Sequence, residues 1–236
     1  MGRLLLLSNS TNYEESYFEY AKGTIKEFIG SSVNRILFIP YAAVTISYDE
    51  YTEKVGEALV DVGCDIQGIH TFENPVEAVE NAEAIAVGGG NSFELLKQLY
   101  DNNIVEIIRE KVKKGTPYIG WSAGSNMSCP TLMTTNDMPI SQPPTFEALN
   151  LIPFQINPHY TEHTLPNHGG ESRMDRLNEY IEVNRDVKVI GLQEGCILWK
   201  EGNSIRLIGD KPAKIFQYGK KISKVWESSD LQFLLS

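Results

Sequence analysis

Short, almost wholly apolar runs recur along the chain, at Leu4 to Leu7, Ile36 to Ile39, Ile66 to Ile69, Ala84 to Val87 and Tyr118 to Trp121. The segments between them have helical spacing. Val55, Leu59 and Val62 fall on one face of Tyr51 to Val62, and Phe93 to Lys114 reads as helix interrupted near Asp101-Asn102-Asn103. A strand without polar alternation needs cover on both faces, and strands that alternate with helices have the crossovers a parallel sheet requires. The expected fold is α/β, a mostly parallel sheet with helices on both faces. Its 236 residues suit one domain, spanning residues 1–236.

Past Trp121 the rhythm changes. A passage with Pro139, Pro143, Pro144 and Pro153 leads to Gln155-Ile156-Asn157-Pro158-His159 and reads as active-site loops. A helix is expected from Glu171 to Val183, with Met174, Leu177 and Ile181 as its buried stripe. Val187 to Gly191, Cys196 to Lys200, Ser204 to Ile208 and Lys214 to Gln217 read as extra C-terminal β-strands, hairpins appended to the sheet.

A formal net charge of -10 repels polyanions, so nucleic acid is not an expected partner. An acidic substrate would need a locally placed cation. The apolar run at Leu4 to Leu7 is shorter than the roughly seven to fifteen residues of a secretory core. No run approaches the ~20 apolar residues of a membrane helix. The three cysteines, Cys64, Cys129 and Cys196, are odd in number and widely spaced, which fits reduced thiols and a cytoplasmic location.

Gly120-Trp121-Ser122-Ala123-Gly124 fits G-x-S-x-G between an apolar strand and an expected helix. There the glycines permit a sharp turn that presents Ser122, and unpaired N–H groups at the helix start favour an oxyanion. A tight turn needing only small residues would show the same five letters. Gly88-Gly89-Gly90-Asn91 follows another strand and could cradle a phosphate or supply a second oxyanion N–H; the presence of Ser122 favours the latter, with Gly89 and Ala123 as the expected donors.

A serine nucleophile needs a base, and four histidines are available. His70 ends a strand ahead of Ser122 and reads as structural or solvent-exposed. His159 closes a segment stiffened by Pro158 and is the candidate base. His163 and His168 share its loop, but no helix aligns them, so no metal site is expected. Asp137 and Glu194 both qualify on sequence as the acid that fixes the imidazole tautomer.

Several segments together resemble the peptidase E, or α-aspartyl dipeptidase, family. They are Leu5-Leu6-Leu7-Ser8-Asn9-Ser10, Phe38-Ile39-Pro40, Val87-Gly88-Gly89-Gly90-Asn91, Tyr118 to Gly124, Thr134 to Ile140, Ile156-Asn157-Pro158-His159 and Gly170-Glu171-Ser172-Arg173. The resemblance implies a fold similar to class I glutamine amidotransferase domains, that is, flavodoxin-like. It implies Ser122 as nucleophile, His159 as base and Asp137 as orienting acid, with Glu194 as the alternative. It also implies that Arg173 binds an aspartate side chain while Asn91 helps position the substrate. The expected reaction is hydrolysis of Asp-Xaa dipeptides without metal or organic cofactor, by a monomer or weak homodimer acting on a small acidic dipeptide. Two other readings stand beside it: an esterase, disfavoured by the short interval from Ser122 to His159, and a ligand-binding domain on the same scaffold that lacks the chemistry.

Overall fold

The computed structural model describes residues 2–163 and 169–235. Five strands follow the apolar runs: β1 (Arg3–Leu7), β2 (Arg35–Ile39), β3 (Asp65–Gly68), β4 (Ala84–Val87) and β5 (Tyr118–Trp121). Later come β6 (Gln155–Asn157), β7 (Lys188–Gly191), β8 (Ile197–Glu201), β9 (Ser204–Ile208), β10 (Ala213–Gln217) and β11 (Ser223–Val225). The helices among the described residues are α1 (Lys22–Ile29), α2 (Tyr48–Ala58), α3 (Pro75–Glu80), α4 (Ser92–Asp101), α5 (Val105–Lys113), α6 (Ala123–Met127) and α7 (Arg173–Val183). None of them is long and apolar enough to cross a membrane.

The main sheet runs β3-β2-β4-β5-β1-β8-β9. Its five leading strands pair in parallel, and β8 and β9 extend it antiparallel beside β1. Alternate residues of β1 enter different cores. Leu4 and Leu6 pack in the layer that holds Val79 of α3, Leu95 of α4 and Ile108 of α5. Leu5 and Leu7 pack with Ile25 and Phe28 of α1 and with Tyr51 and Val55 of α2. Both faces are dry, which is why these strands show no polar alternation in the sequence.

β8 and β9 form the expected hairpin on the main sheet, but the strands on either side of them in sequence are not appended to it. β7 and β10 leave the main sheet and form a second one, ordered β11-β10-β7-β6. β6 lies inside the stretch that reads as loop, because three residues between Pro153 and Pro158 are too few to display a period. One face of this sheet, through Ile156, Ile190 and Ile215, joins the core beneath Leu4 and Leu6. On its other face Val189 and Phe216 pack with Tyr160 and with Leu177 and Ile181 of α7.

From β2 the chain passes to β3 on one side, then returns to β4 on the other. The connections therefore diverge between neighbouring strands and leave a crevice at the carboxyl ends, where ligands bind in open α/β sheets. The polar segments after β1, β2, β4 and β5 meet there.

Candidate active site

Ser122 occupies the turn between β5 and α6 with φ 52° and ψ -113°. Positive φ is unfavourable for a residue with a β-carbon, so the surroundings must hold it. Its N–H donates to Leu7 O at 3.1 Å, and its carbonyl accepts from Asn126 N at 3.0 Å. The motif glycines permit the crowding: a β-carbon on Gly124 would lie 2.0 Å from Val87 O, and one on Gly120 would lie 2.5 Å from Gly124 O. The buried Asn126 amide then donates to Ile156 O at 3.1 Å, tying α6 to the strand that delivers His159.

His159 Nε2 lies 2.8 Å from Ser122 Oγ, and its Nδ1 lies 2.7 Å from Glu194 Oε1. With neutral imidazole, Nδ1–H donates to the carboxylate and Nε2 accepts the serine proton, the tautomer a general base requires. His159 itself has φ 51°. Its N–H donates to Ser8 Oγ at 2.9 Å, and the Ser8 hydroxyl donates to Leu192 O at 2.7 Å. Asn136 Nδ2 donates to Pro158 O at 2.7 Å. Glu194 is held through its backbone: Gly195 N–H donates to Asn9 Oδ1 at 2.8 Å, and Lys211 Nζ donates to Glu194 O at 2.9 Å. Ser8 and Asn9 are buried polar residues that sequence reasoning left without a role. The available signal was a Ser-Asn-Ser run directly after an apolar strand.

The preferred acid is elsewhere. Asp137 Oδ2 accepts from Ser92 N at 2.7 Å and from Ser92 Oγ at 2.6 Å, at the start of α4, while Glu194 holds the contact with His159. An aspartate in the Asn136-Asp137-Met138 loop meets the exposed N–H of a neighbouring helix first, a favourable place for its charge. Asn91 likewise serves the fold. Its Oδ1 accepts from Phe93 N and Glu94 N as the cap of α4, and its Nδ2 donates to Met138 O at 2.8 Å. The amide ties loop to helix at the wall of the cavity over Ser122, which Asn91 lines.

Arg173 opens α7 behind a capping box of Ser172 and Asp175. Burial pushes its guanidinium below the ordinary arginine value, Arg176 adds to that, and Asp137 pulls the other way. Among the described residues it forms no ion pair. His163 donates its backbone N–H to Thr161 Oγ1, and His168 lies outside the described residues. No group of three His, Cys, Asp or Glu among the described residues is arranged to hold a metal ion. The free thiols of Cys129 and Cys196 are pushed up to about 12 and about 11 by burial, so neither offers a thiolate near neutral pH.

Over Ser122 and His159 opens a cavity of about 610 Å³, walled by Gly89, Trp121, Tyr17, Tyr51 and Lys54. Tyr51 OH donates to Gly89 O at 3.0 Å and accepts from Trp121 Nε1 at 3.0 Å, fixing the glycine loop against the serine. A β-carbon on Gly89 would lie 3.0 Å from Ser122 Cβ. The backbone N–H groups of Gly89 and Ala123 have no acceptor among the described residues. Such an arrangement can pass a proton from hydroxyl to imidazole, stabilise the imidazolium, and offer donors to a developing oxyanion.

Residues 4–208 match the model of peptidase family S51. Peptidase E of Nostoc sp. (strain PCC 7120 / SAG 25.82 / UTEX 2576) is 52% identical over 233 residues, covering 99% of this chain and 96% of its own. Peptidase E of Shewanella sp. (strain ANA-3) is 45% identical over 231 residues, 98% of each chain. The crystal structure of a peptidase from an acI-B1 Actinobacterium superposes with a TM-score of 0.67 at 18% identity, over 98% of this chain and 96% of that one, a likeness of fold.

Proposed function

The chain belongs to peptidase family S51, and from that premise we propose that it is a serine-type dipeptidase that removes an N-terminal aspartate from Asp-Xaa. The observation that supports this best is the continuous hydrogen-bonded series Ser122 Oγ, His159 Nε2, His159 Nδ1, Glu194 Oε1 beside an open cavity.

In this reading Ser122 Oγ attacks the carbonyl carbon of the N-terminal aspartate as its proton passes to His159 Nε2. Glu194 steadies the imidazolium, since its carboxylate already receives Nδ1–H. The oxyanion is taken by the N–H groups of Gly89 and Ala123. The Ser122 N–H is committed to Leu7 O, so the donor following the nucleophile is the one available. Collapse breaks the C–N bond, the His159 proton leaves with the amine of Xaa, and an aspartyl ester remains on Ser122. Water, deprotonated by His159, then attacks the ester; the acyl C–O bond breaks, His159 returns the proton to Ser122 Oγ, and aspartate is freed. Arg173, half-buried and without an ion pair among the described residues, is assigned to the aspartate side chain as a charge-assisted pair. Asp137 is placed as support for α4 and for the electrostatics around Arg173. The setting proposed is the cytoplasm, with three free thiols.

Incubation with Asp-Leu, Glu-Leu, Asn-Leu and Ala-Leu, with and without EDTA, tests the reading through the free N-terminal amino acid released. Release from Asp-Leu alone and unchanged by EDTA is expected. Release from none of the four would overturn the substrate assignment.

A further inference from the structure

Lys54 is the one lysine or arginine among the described residues lining the cavity over Ser122; Arg173 is not part of that lining. It lies three residues after Tyr51 on α2, hence on a neighbouring face of the helix. Tyr51 is buried with its hydroxyl on Gly89 O, whereas Lys54 emerges exposed at the rim. Lys54 Nζ sits 4.5 Å from the centroid of the Tyr17 ring, and the Tyr17 hydroxyl lies 3.4 Å from that of Tyr51. The ring face holds the ammonium over the cavity wall without neutralising it. No carboxylate among the described residues pairs with it. In a chain of formal net charge -10, a cation without a carboxylate partner in the wall of the cavity over Ser122 is where an approaching anion settles.

An Asp-Xaa dipeptide has two carboxylates, and Arg173 has been assigned only one. Resting on the aspartyl dipeptidase reading, we propose that Lys54 receives the C-terminal carboxylate of the substrate and thereby sets its length. Adding one residue to the peptide carries that carboxylate about 3.5 Å further along the extended chain and removes it from the ammonium. Lys54 is thus a specificity residue that acts on the leaving half of the substrate.

The test compares wild type, Lys54→Met and Lys54→Arg on Asp-Leu and on Asp-leucinamide, which lacks the terminal carboxylate. For Lys54→Met the ratio of kcat/KM for Asp-Leu to that for the amide should fall about five- to tenfold, through KM, as for a partly solvated charge pair. Lys54→Arg should restore most of it. An unchanged ratio overturns the proposal, whether both substrates suffer equally, as for a role at the aspartate side chain, or neither suffers. A wild-type protein that frees no aspartate from either compound would instead overturn the dipeptidase reading beneath it.

Discussion

His159 Nδ1 lies 2.7 Å from Glu194 Oε1, a carboxylate 35 positions further along the chain, although Asp137 is nearer in sequence. Asp137 instead spends its Oδ2 on the N–H and hydroxyl of Ser92. The two acids therefore have separable effects. Glu194→Gln should lower kcat for Asp-Leu by roughly two to four orders of magnitude, the range expected when an imidazole loses the carboxylate that fixes its tautomer, with the melting temperature little changed. Asp137→Ala should lower the melting temperature by an amount matching about 1–3 kcal/mol, because it leaves the Ser92 N–H without its acceptor, while the Ser92 hydroxyl keeps only Thr135 Oγ1. Steady-state kinetics and thermal melts of both variants check this. A Glu194→Gln enzyme with wild-type kcat would contradict it.

Ser8 touches no substrate in this account, yet it bridges His159 N–H and Leu192 O. Ser8→Ala should cost about 1–2 kcal/mol of stability, since it leaves a half-buried N–H without an acceptor. It should also lower kcat several-fold more than it raises KM, because a displaced imidazole harms the proton transfer and not the binding. Denaturant titration and the kcat-to-KM split measure the two effects.

Arg173→Met should reduce kcat/KM for Asp-Leu by about two orders of magnitude, the loss expected when a substrate carboxylate is left unpaired. Asp-Leu kinetics that match wild type would remove Arg173 from substrate binding.

On the alkaline side, stability should fall. Burial raises Cys129 to about 12 and Cys196 to about 11, and raises Tyr51 and Tyr118 well above the ordinary phenol value. These groups keep their protons in the folded chain, while the unfolded chain releases its thiol protons from about pH 9. Their contribution is full below that pH and is lost as pH climbs toward the folded values. Thermal melts from pH 8 to 11 should show a falling melting temperature, and a flat profile would contradict the burial of these groups.

The parallel strands were legible because both faces of β1, β2 and β4 are dry, leaving unbroken apolar runs. The helix interruption was legible too: α4 stops at Asp101, α5 starts at Val105, and Asn103 between them has φ 55°. β6 was hidden by its length. The pairing of His159 with Glu194 depends on how β7 and β8 part into different sheets, bringing the Glu194-Gly195 turn against Asn9. Such long-range juxtaposition leaves no local trace, so residue type alone could not separate Asp137 from Glu194. Lys54 was invisible for a similar reason, since a lysine on an amphipathic helix reads as solvated surface until the cavity beside it is known.

Ser122 is proposed as the nucleophile of an aspartyl dipeptidase. The most direct measurement is the rate of aspartate release from Asp-Leu by Ser122→Ala beside wild type, with circular dichroism confirming that both are folded. Wild type should release aspartate readily, and the variant at a rate at least about a thousandfold lower. Release by folded Ser122→Ala at the wild-type rate would contradict it.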